Sequence, residues 1–446
     1  MTSILLAGCG SPPEPASSPP TPTQATAASP AGTVVPAPPA TSVATPEPAP
    51  VPIASPILAC LPPKAYLVVA GDTFATIARE HGVTVEALLS SNPQISDPDR
   101  IRIGDQITIS PISLGTLGGT SSFPTAINDL GQIVGWSTTA SDQNHAFLWQ
   151  DGSMVDLGTL GGDGSYPTAI NDGGQVVGWS WTSSGQRHAF IWQNDEMTDL
   201  GTLDRISSEA VAINDRGQVV GQSAGHAFLW QDGKMTDLGW LAGPHSDPGD
   251  VSDAIAINNR GQVVGRSAGH AFIWQDDAMT DLGTLGGGVG NPRAINNRGQ
   301  VVGWSNLPSG EQHAFLWQDG TMTDLGTLGG AYSDAVAISD RGQIVGWSHT
   351  ASSGIHPFLW QDGTMVDLGT LGGNESYADA INERGQVVGR SGAPFHDFLW
   401  QDGTKTDLAS DSVSQAVLIN DCGQVVGHSY SASGEGGAVL WHLGTQ

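Results

Sequence analysis

The sequence predicts a mainly β protein. Its fold is a repeat-built β-propeller of about eight blades, preceded by a small βααβ domain and a disordered, proline-rich linker. Three observations predict this. One unit of about 43 residues recurs through residues 112–446. Gly and Pro reach 60 and 28 residues while charged residues are only 13%, a balance that suits turns, short strands and tether. The two ends of the repeat region carry complementary fragments of one unit. The expected boundaries are 1–9 for a signal-like segment, 10–63 for the linker, 64–110 for the small domain and 112–446 for the ring.

Charge and cysteine content narrow the function. The net charge is −28, with 44 acidic against 16 basic residues. Such a surface repels phosphate backbones, so no nucleic-acid partner is expected. No apolar run approaches the roughly 20 residues that span a bilayer, so contact with a membrane is expected only through a lipid anchor. Cys9, Cys60 and Cys422 form no CxxC pair, which excludes a zinc ribbon or a thioredoxin-like site and leaves their pairing open.

At the N-terminus, Leu6-Ala7-Gly8-Cys9 resembles a bacterial lipobox. That resemblance implies export, cleavage before Cys9 and lipidation of its thiol. Only eight residues precede Cys9, none of them basic. Residues 10–63 are almost wholly Pro, Ala, Ser, Thr and Val, with Glu14 and Glu47 as the acidic residues. Such a segment cannot bury enough apolar surface to fold. At about 3.1 Å per residue it reaches on the order of 150 Å, which suits a stalk.

Residues 64–110 read as β-α-α-β. Tyr66 to Val69 alternate as a strand, and Asp72 or Thr73 can cap the helix that follows. Phe74, Ile77 and Ala78 fall on one helical face. A second helix carries Val85, Leu88 and Leu89 and stops at Asn92-Pro93, because Pro cannot continue a helix. Gln106 to Ile109 form the closing strand. Tyr66, Val68, Gly71-Asp72-Thr73, Ile77-Ala78, Gly82-Val83, Leu88, Asn92-Pro93, Ile101, Gly104-Asp105 and Ile107 to Ile109 resemble the LysM family. The resemblance implies binding of N-acetylglucosamine polymers, in bacteria chiefly peptidoglycan. The implied groove lies between Ala70, Gly71, Asp72, Thr73 and Phe74 on one side and Asn92, Pro93, Gln94 and Ile95 on the other. Gly71, Asp72 and Asn92 also have a purely geometric use, in turns and caps.

The ring is read from self-similarity. The run ending at Gly135 returns at Gly178, Gly221, Gly265, Gly303, Gly346, Gly389 and Gly427. Gln-Val-Val-Gly, Ala-Phe-Leu-Trp and Thr-Asp-Leu-Gly-Thr-Leu read as short strands, joined at Asn-Asp-Arg-Gly and Gln-Asp-Gly turns. The last unit stops at Val439-Leu-Trp-His and lacks its outer strand, while Ile112 to Leu117 supply that strand ahead of the first unit. A ring closed by its N-terminal strand explains the offset and removes exposed edges. Seven blades with one irregular unit is the alternative count. The units resemble the bacterial HAF extracellular repeats, named for His145-Ala146-Phe147 and its copies. That resemblance implies secretion and no particular reaction.

Within the ring, one Trp per unit, from Trp149 to Trp441, reads as packing between blades. The motif His, from His145 to His396, reads as a hydrogen-bonding residue, because equivalent positions on separate blades do not converge on one metal ion. No metal and no cofactor is expected. A second aromatic position follows the repeat Gly. Trp136, Trp179, Trp304 and Trp347 stand there, against Gln222, Arg266, Arg390 and His428 in the other units. These Trp residues are a candidate second face for a protein or glycan partner, or else supports for longer hairpins. A catalytic centre needs a one-copy acid/base pair. The clearest irregularity, Pro244 to Asp250 with His245, Ser246 and Asp247, reads as a loop. The expected function is therefore a non-enzymatic protein of the extracellular space or cell envelope, binding peptidoglycan and displaying a propeller. A propeller glycan lyase or hydrolase targeted by the LysM, and a structural spacer without a ligand, are the alternatives.

Overall fold

The structure is a computed structural model and describes residues 65–80, 85–90, 92, 94–95, 97–108, 112–241, 251–392, 396–408, 414–430 and 436–442. The signal-like segment with Cys9, the linker with Cys60, Pro93 and the 244–250 loop lie outside the described residues.

The small domain has the expected order. Strand β1 (Ala65–Leu67) pairs antiparallel with β2 (Gln106–Thr108), with Ala65 opposite Thr108. Helices α1 (Phe74–Glu80) and α2 (Val85–Ser90) stand between them, and a short 3-10 turn covers Pro98–Arg100. Val68, Phe74, Ile77, Ala78, Leu88 and Ile107 form its core. Phe74, Ile77, Ala78 and Leu88 are inside as the helical periodicity placed them, and Val85 and Leu89 of the same stripe pack partly buried against them.

The ring residues build one four-stranded antiparallel unit again and again. In the first unit Gly118–Ile127, Ile133–Thr139, Asn144–Gln150 and Ser153–Asp156 pair in order. Between the first and second strands the repeat Gly is required by a close approach. A Cβ at Gly135 would stand 2.0 Å from the Phe123 carbonyl oxygen and 2.8 Å from the Phe147 ring. The unit cannot bury its own faces. Each hydrophobic core lies between neighbours, as where Val134, Leu148 and Leu157 of one unit meet Val176, Phe190 and Trp192 of the next. The motif Trp thus packs between units, as its recurrence suggested.

The same seam joins the two ends of the ring. Strand β3 (Ile112–Ser113) pairs with Gly436–His442, Ile112 opposite Leu440 and Ser113 opposite Val439. Leu114, Val426, Ala438 and Leu440 then pack on Ile133, Phe147 and Trp149. The N-terminal strand therefore supplies the missing edge of the last unit. The architecture is a ring of β-sheets of the propeller kind.

Polar bonds tie unit to unit. The Ser122 hydroxyl donates to the Gly115 carbonyl at 2.7 Å and accepts from the Ala438 N–H at 3.0 Å. Ser165 repeats the pattern against Gly158 and Ala146 of the unit before it. At the axis the Asp129 N–H donates to the Asp172 carboxylate at 3.0 Å, and that of Asp172 to Asp215 at 3.1 Å. The series continues through Asn259, Asn297, Asp340, Glu383 and Asp421, whose N–H donates back to Asp129 at 2.8 Å.

Candidate functional site

The first candidate is the pair of loops in the small domain. Gly71 turns the chain after β1 with φ of 99°, a conformation that L side chains rarely adopt. Asp72 closes that turn. Its Oδ2 accepts from the Val69 N–H at 2.7 Å and from the Tyr66 hydroxyl at 2.8 Å. Thr73 is the helix cap. Its hydroxyl accepts from the Thr76 N–H at 3.0 Å while the Thr73 N–H donates to the Thr76 hydroxyl at 2.9 Å. This reciprocal pair satisfies two donors that the helix start leaves open. Phe74 is 2% exposed and belongs to the core.

Asn92 is fully buried and fully engaged. Its Nδ2 donates to the Leu88 and Thr108 carbonyls, each at 2.7 Å. Its Oδ1 accepts from the Thr108 N–H at 2.7 Å and from Gln94 Nε2 at 3.0 Å. All four of its hydrogen-bonding positions are used. Asn92 is therefore a brace that locks the second loop onto β2. What these loops present outward is the chain at Ala70, Gly71 and Thr73 and the side chain of Gln94, with Ile95 half-buried against the core. Pro93 lies outside the described residues. Asp72, Phe74 and Asn92 shape the loops, for Asp72 and Asn92 the geometric use that the sequence reading kept open beside glycan contact, and their neighbours face solvent. Leu67, Val69 and Ile103 add exposed apolar surface, at 56%, 52% and 73%.

The second candidate is the aromatic position of the ring. Trp136 and Trp179 are brought into one arc by residues the sequence reading missed. Phe123 stacks on His428 at 4.0 Å and on Trp136 at 4.3 Å. Trp136 meets Tyr166 of the next unit at 6.0 Å, and Tyr166 stacks on Trp179 at 4.3 Å. Trp181, 38% exposed, and the Arg187 guanidinium extend the arc beyond Trp179. Trp347 belongs to a different group, with His349 and Tyr377, while Trp304 lies opposite Asn291. The four Trp residues are therefore not one platform. Phe123 and Tyr166 were legible in principle. Each stands 13 residues before its Trp, opposite it in register. Elsewhere the same pair of positions holds ions, as in the Arg266–Asp253 bridge at 3.1 Å.

The motif His residues are clips within a unit. His145 Nδ1 bonds the Asp156 carboxylate at 2.9 Å, and that carboxylate also accepts the Gly158 N–H at 2.8 Å. The His–Asp bond recurs from His188–Asp199 to His396–Asp407. Among the described residues no three His, Cys, Asp or Glu side chains converge as metal ligands.

At the axis, the turns that carry Asn128 and Asp129 and their copies line a cavity of about 380 Å³. Burial pushes the Asp129 carboxyl up to about 6, and the charges of Asp421, Asp172 and Asp215 add to it. Asp172 and Glu383 are raised for the same first reason. Cys422 stands in one of these turns and is disulfide-bonded.

Residues 66–110 match the LysM domain family. The chain thus contains a LysM domain. The same region is 38% identical over 58 residues to the Secreted LysM effector ECP6 of Passalora fulva, 13% of this chain and 25% of that protein. It is 47% identical over 47 residues to an Endolysin of Bacillus phage PZA, 10% of this chain and 18% of that one. The chain therefore spans a quarter or less of these relatives. Among solved structures, a puromycin-hydrolyzing peptidase of Mycobacterium tuberculosis aligns at 12% identity and TM-score 0.41, over 62% of this chain and 50% of that one. The β-propeller domain of the Trilobed protease from Pyrococcus furiosus aligns at 10% identity and TM-score 0.40, over 65% and 96%.

Proposed function

We propose that this protein is a binding protein of the extracellular space or cell envelope, without catalytic activity. Its LysM domain holds an N-acetylglucosamine polymer, peptidoglycan in the first instance, and an eight-bladed propeller of HAF-type repeats is displayed on it. A lipid on Cys9 would anchor the chain, with residues 10–63 as stalk. The observation that carries the reading is the LysM match combined with loops whose shaping residues are locked from within. A loop fixed by Asp72 and Asn92 can offer backbone donors and acceptors to acetamido groups without an ordering cost at the moment of binding.

The test is sedimentation of the full chain with insoluble peptidoglycan. Ala70→Trp places a bulky ring in the exposed first loop and leaves the core untouched. The full chain is expected in the pellet, and Ala70→Trp is expected to weaken binding at least about tenfold. Sedimentation with chitin alone would move the target to another polymer of the same sugar, and no sedimentation with either would sink the reading.

The aromatic arc is the region we assign to a partner of the ring. It breaks the repeat's symmetry, because the same pair of positions holds an Arg–Asp bridge elsewhere in the ring. Trp181→Ala is the matching test, read as loss of partner capture with sedimentation unchanged.

A further inference from the structure

We propose that a groove between the fourth and fifth units of the ring binds a sugar residue that carries one carboxylate. The fourth unit runs from Ser252–Ile257 to Ala278–Asp281 and the fifth from Gly290–Ile295 to Thr321–Gly326. The groove has a volume of about 330 Å³ and is lined by Arg260, Gln262, Gln275, Ala278, Arg298 and Trp317. It lies at the strand ends away from the aromatic arc, because Val263–Ser267 leads from the Arg260 turn to Arg266 at the arc position.

The groove owes its volume to one side chain. Ala278 opens the outer strand of its unit, where Ser153, Glu196, Lys234, Thr321, Thr364 and Thr404 stand in the others. The larger side chains fill the equivalent space. Small-molecule sites span about 300–1,000 Å³, and this groove is in that range.

Its charge departs from the rest of the ring. The chain has 44 acidic and 16 basic residues, and Arg266, Arg293 and Arg341 each pair with a carboxylate. Arg260 and Arg298 form no ion pair among the described residues. The axial residues before them are Asn259 and Asn297, where Asp129, Asp172, Asp215, Asp340, Glu383 and Asp421 stand elsewhere. The flanking acids are taken by these neutral amides. Asn259 Nδ2 donates to Asp215 at 2.6 Å, and Asn297 Nδ2 to Asp340 at 2.9 Å. Each guanidinium is placed by the turn that follows. Arg260 Nη1 donates to the Arg298 carbonyl at 3.4 Å, and Arg298 Nη1 to the Arg341 carbonyl at 3.5 Å. That bond uses one of the five N–H donors of each. Two positioned guanidinium groups thus line one groove with no carboxylate paired to either.

The lining sets the class of ligand. A guanidinium fork takes a carboxylate through two parallel N–H bonds. Asp319 also lines the groove, so the lining holds two positive charges and one negative, and a single anionic charge completes it. The net charge of −28 disfavours every further negative charge on the ligand. The neutral part of the groove suits a pyranose. Trp317 offers half-buried aromatic surface to the C–H face of a ring. Gln262 Nε2 donates to Gln275 Oε1 at 2.7 Å, which orders two amides beside it, and the exposed Thr280 adds a hydroxyl.

The test is a titration of the full chain with sodium glucuronate, followed by saturation-transfer NMR. Glucuronate is expected to bind, with glucose and inorganic phosphate each at least about tenfold weaker. Arg260→Gln and Arg298→Gln should each weaken glucuronate about tenfold or more. Ala278→Leu should do the same by filling the groove with every charge left in place. All three side chains are exposed, so these variants keep the fold of the ring. Ala70→Trp, in the LysM loop, should leave glucuronate binding unchanged, which separates this site from the LysM reading. Absence of glucuronate binding, phosphate binding of equal strength, or unchanged binding in the Arg and Ala278→Leu variants overturns the proposal.

Discussion

Asp129 shows how a ring of turns acts on a single side chain. Its carboxyl accepts the Asp421 N–H, which favours the charged form, yet burial outweighs that bond and raises the group from 3.8 to about 6. The folded chain therefore holds this proton more tightly than the unfolded one. Its contribution to stability is full below about pH 4 and is lost as pH rises through 6. Asn fills the same position at Asn259 and Asn297, where it accepts the same backbone bond. Asp129→Asn should therefore raise the melting temperature at pH 7.5 by on the order of 2 °C and leave it unchanged near pH 4. Calorimetry of the two proteins at both pH values decides it, because Asp379, also raised to about 6 by burial, is common to both. Asn92 teaches the complementary lesson. Asn before Pro reads as a helix stop, but four bonds to Leu88, Thr108 and Gln94 cannot be seen in spacing, since Thr108 lies 16 residues away.

Within the elements, one exception explains its neighbours. In most units a Ser of the next unit accepts the N–H of the motif Ala, as Ser333 does from Ala314 at 2.8 Å. Pro357 replaces that Ala and has no N–H. Ser376 instead receives Lys405 Nζ at 3.2 Å, and the same ammonium donates to the Gly369 carbonyl at 2.5 Å and lies over the Phe398 ring at 3.8 Å. Lys405 stands where other units carry Met, such as Met154, and burial pulls its ammonium down to about 8. The two departures compensate each other. Lys405→Met alone should cost about 1–2 kcal/mol, by leaving the Gly369 carbonyl without its donor. Adding Pro357→Ala should recover most of it, with a coupling of about 1 kcal/mol in a denaturant double-mutant cycle. Additive losses would refute the coupling. The sequence showed both departures and gave no sign that they touch, because they lie 48 residues apart on adjacent units.

For the whole molecule the decisive feature is closure. Leu114 packs in the seam between the last and first units, as Leu157 packs in the next seam. The two are equivalent only if the ring is shut by β3. Leu114→Ala and Leu157→Ala should then cost alike, about 2–4 kcal/mol each by denaturant unfolding. A negligible loss for Leu114→Ala with the full loss for Leu157→Ala would show an open ring in solution.

The sequence by itself determined the β-α-α-β domain, the repeat unit, the between-unit place of the Trp residues and the complementary ends. These are local or periodic signals, carried by spacing within a strand, a helix turn or a unit. Tertiary structure alone supplied the bonds by which Asp72 and Asn92 brace their loops, of the two uses that the sequence left open. It also decided that Trp136 and Trp179 join an arc through Phe123 and Tyr166 while Trp304 and Trp347 do not, and that the axial Asp, Asn and Glu side chains accept backbone N–H groups of neighbouring units in a circle. Each of these depends on which residues of different strands or units face one another. That pairing is fixed by register and ring closure, and neither leaves a period in the chain.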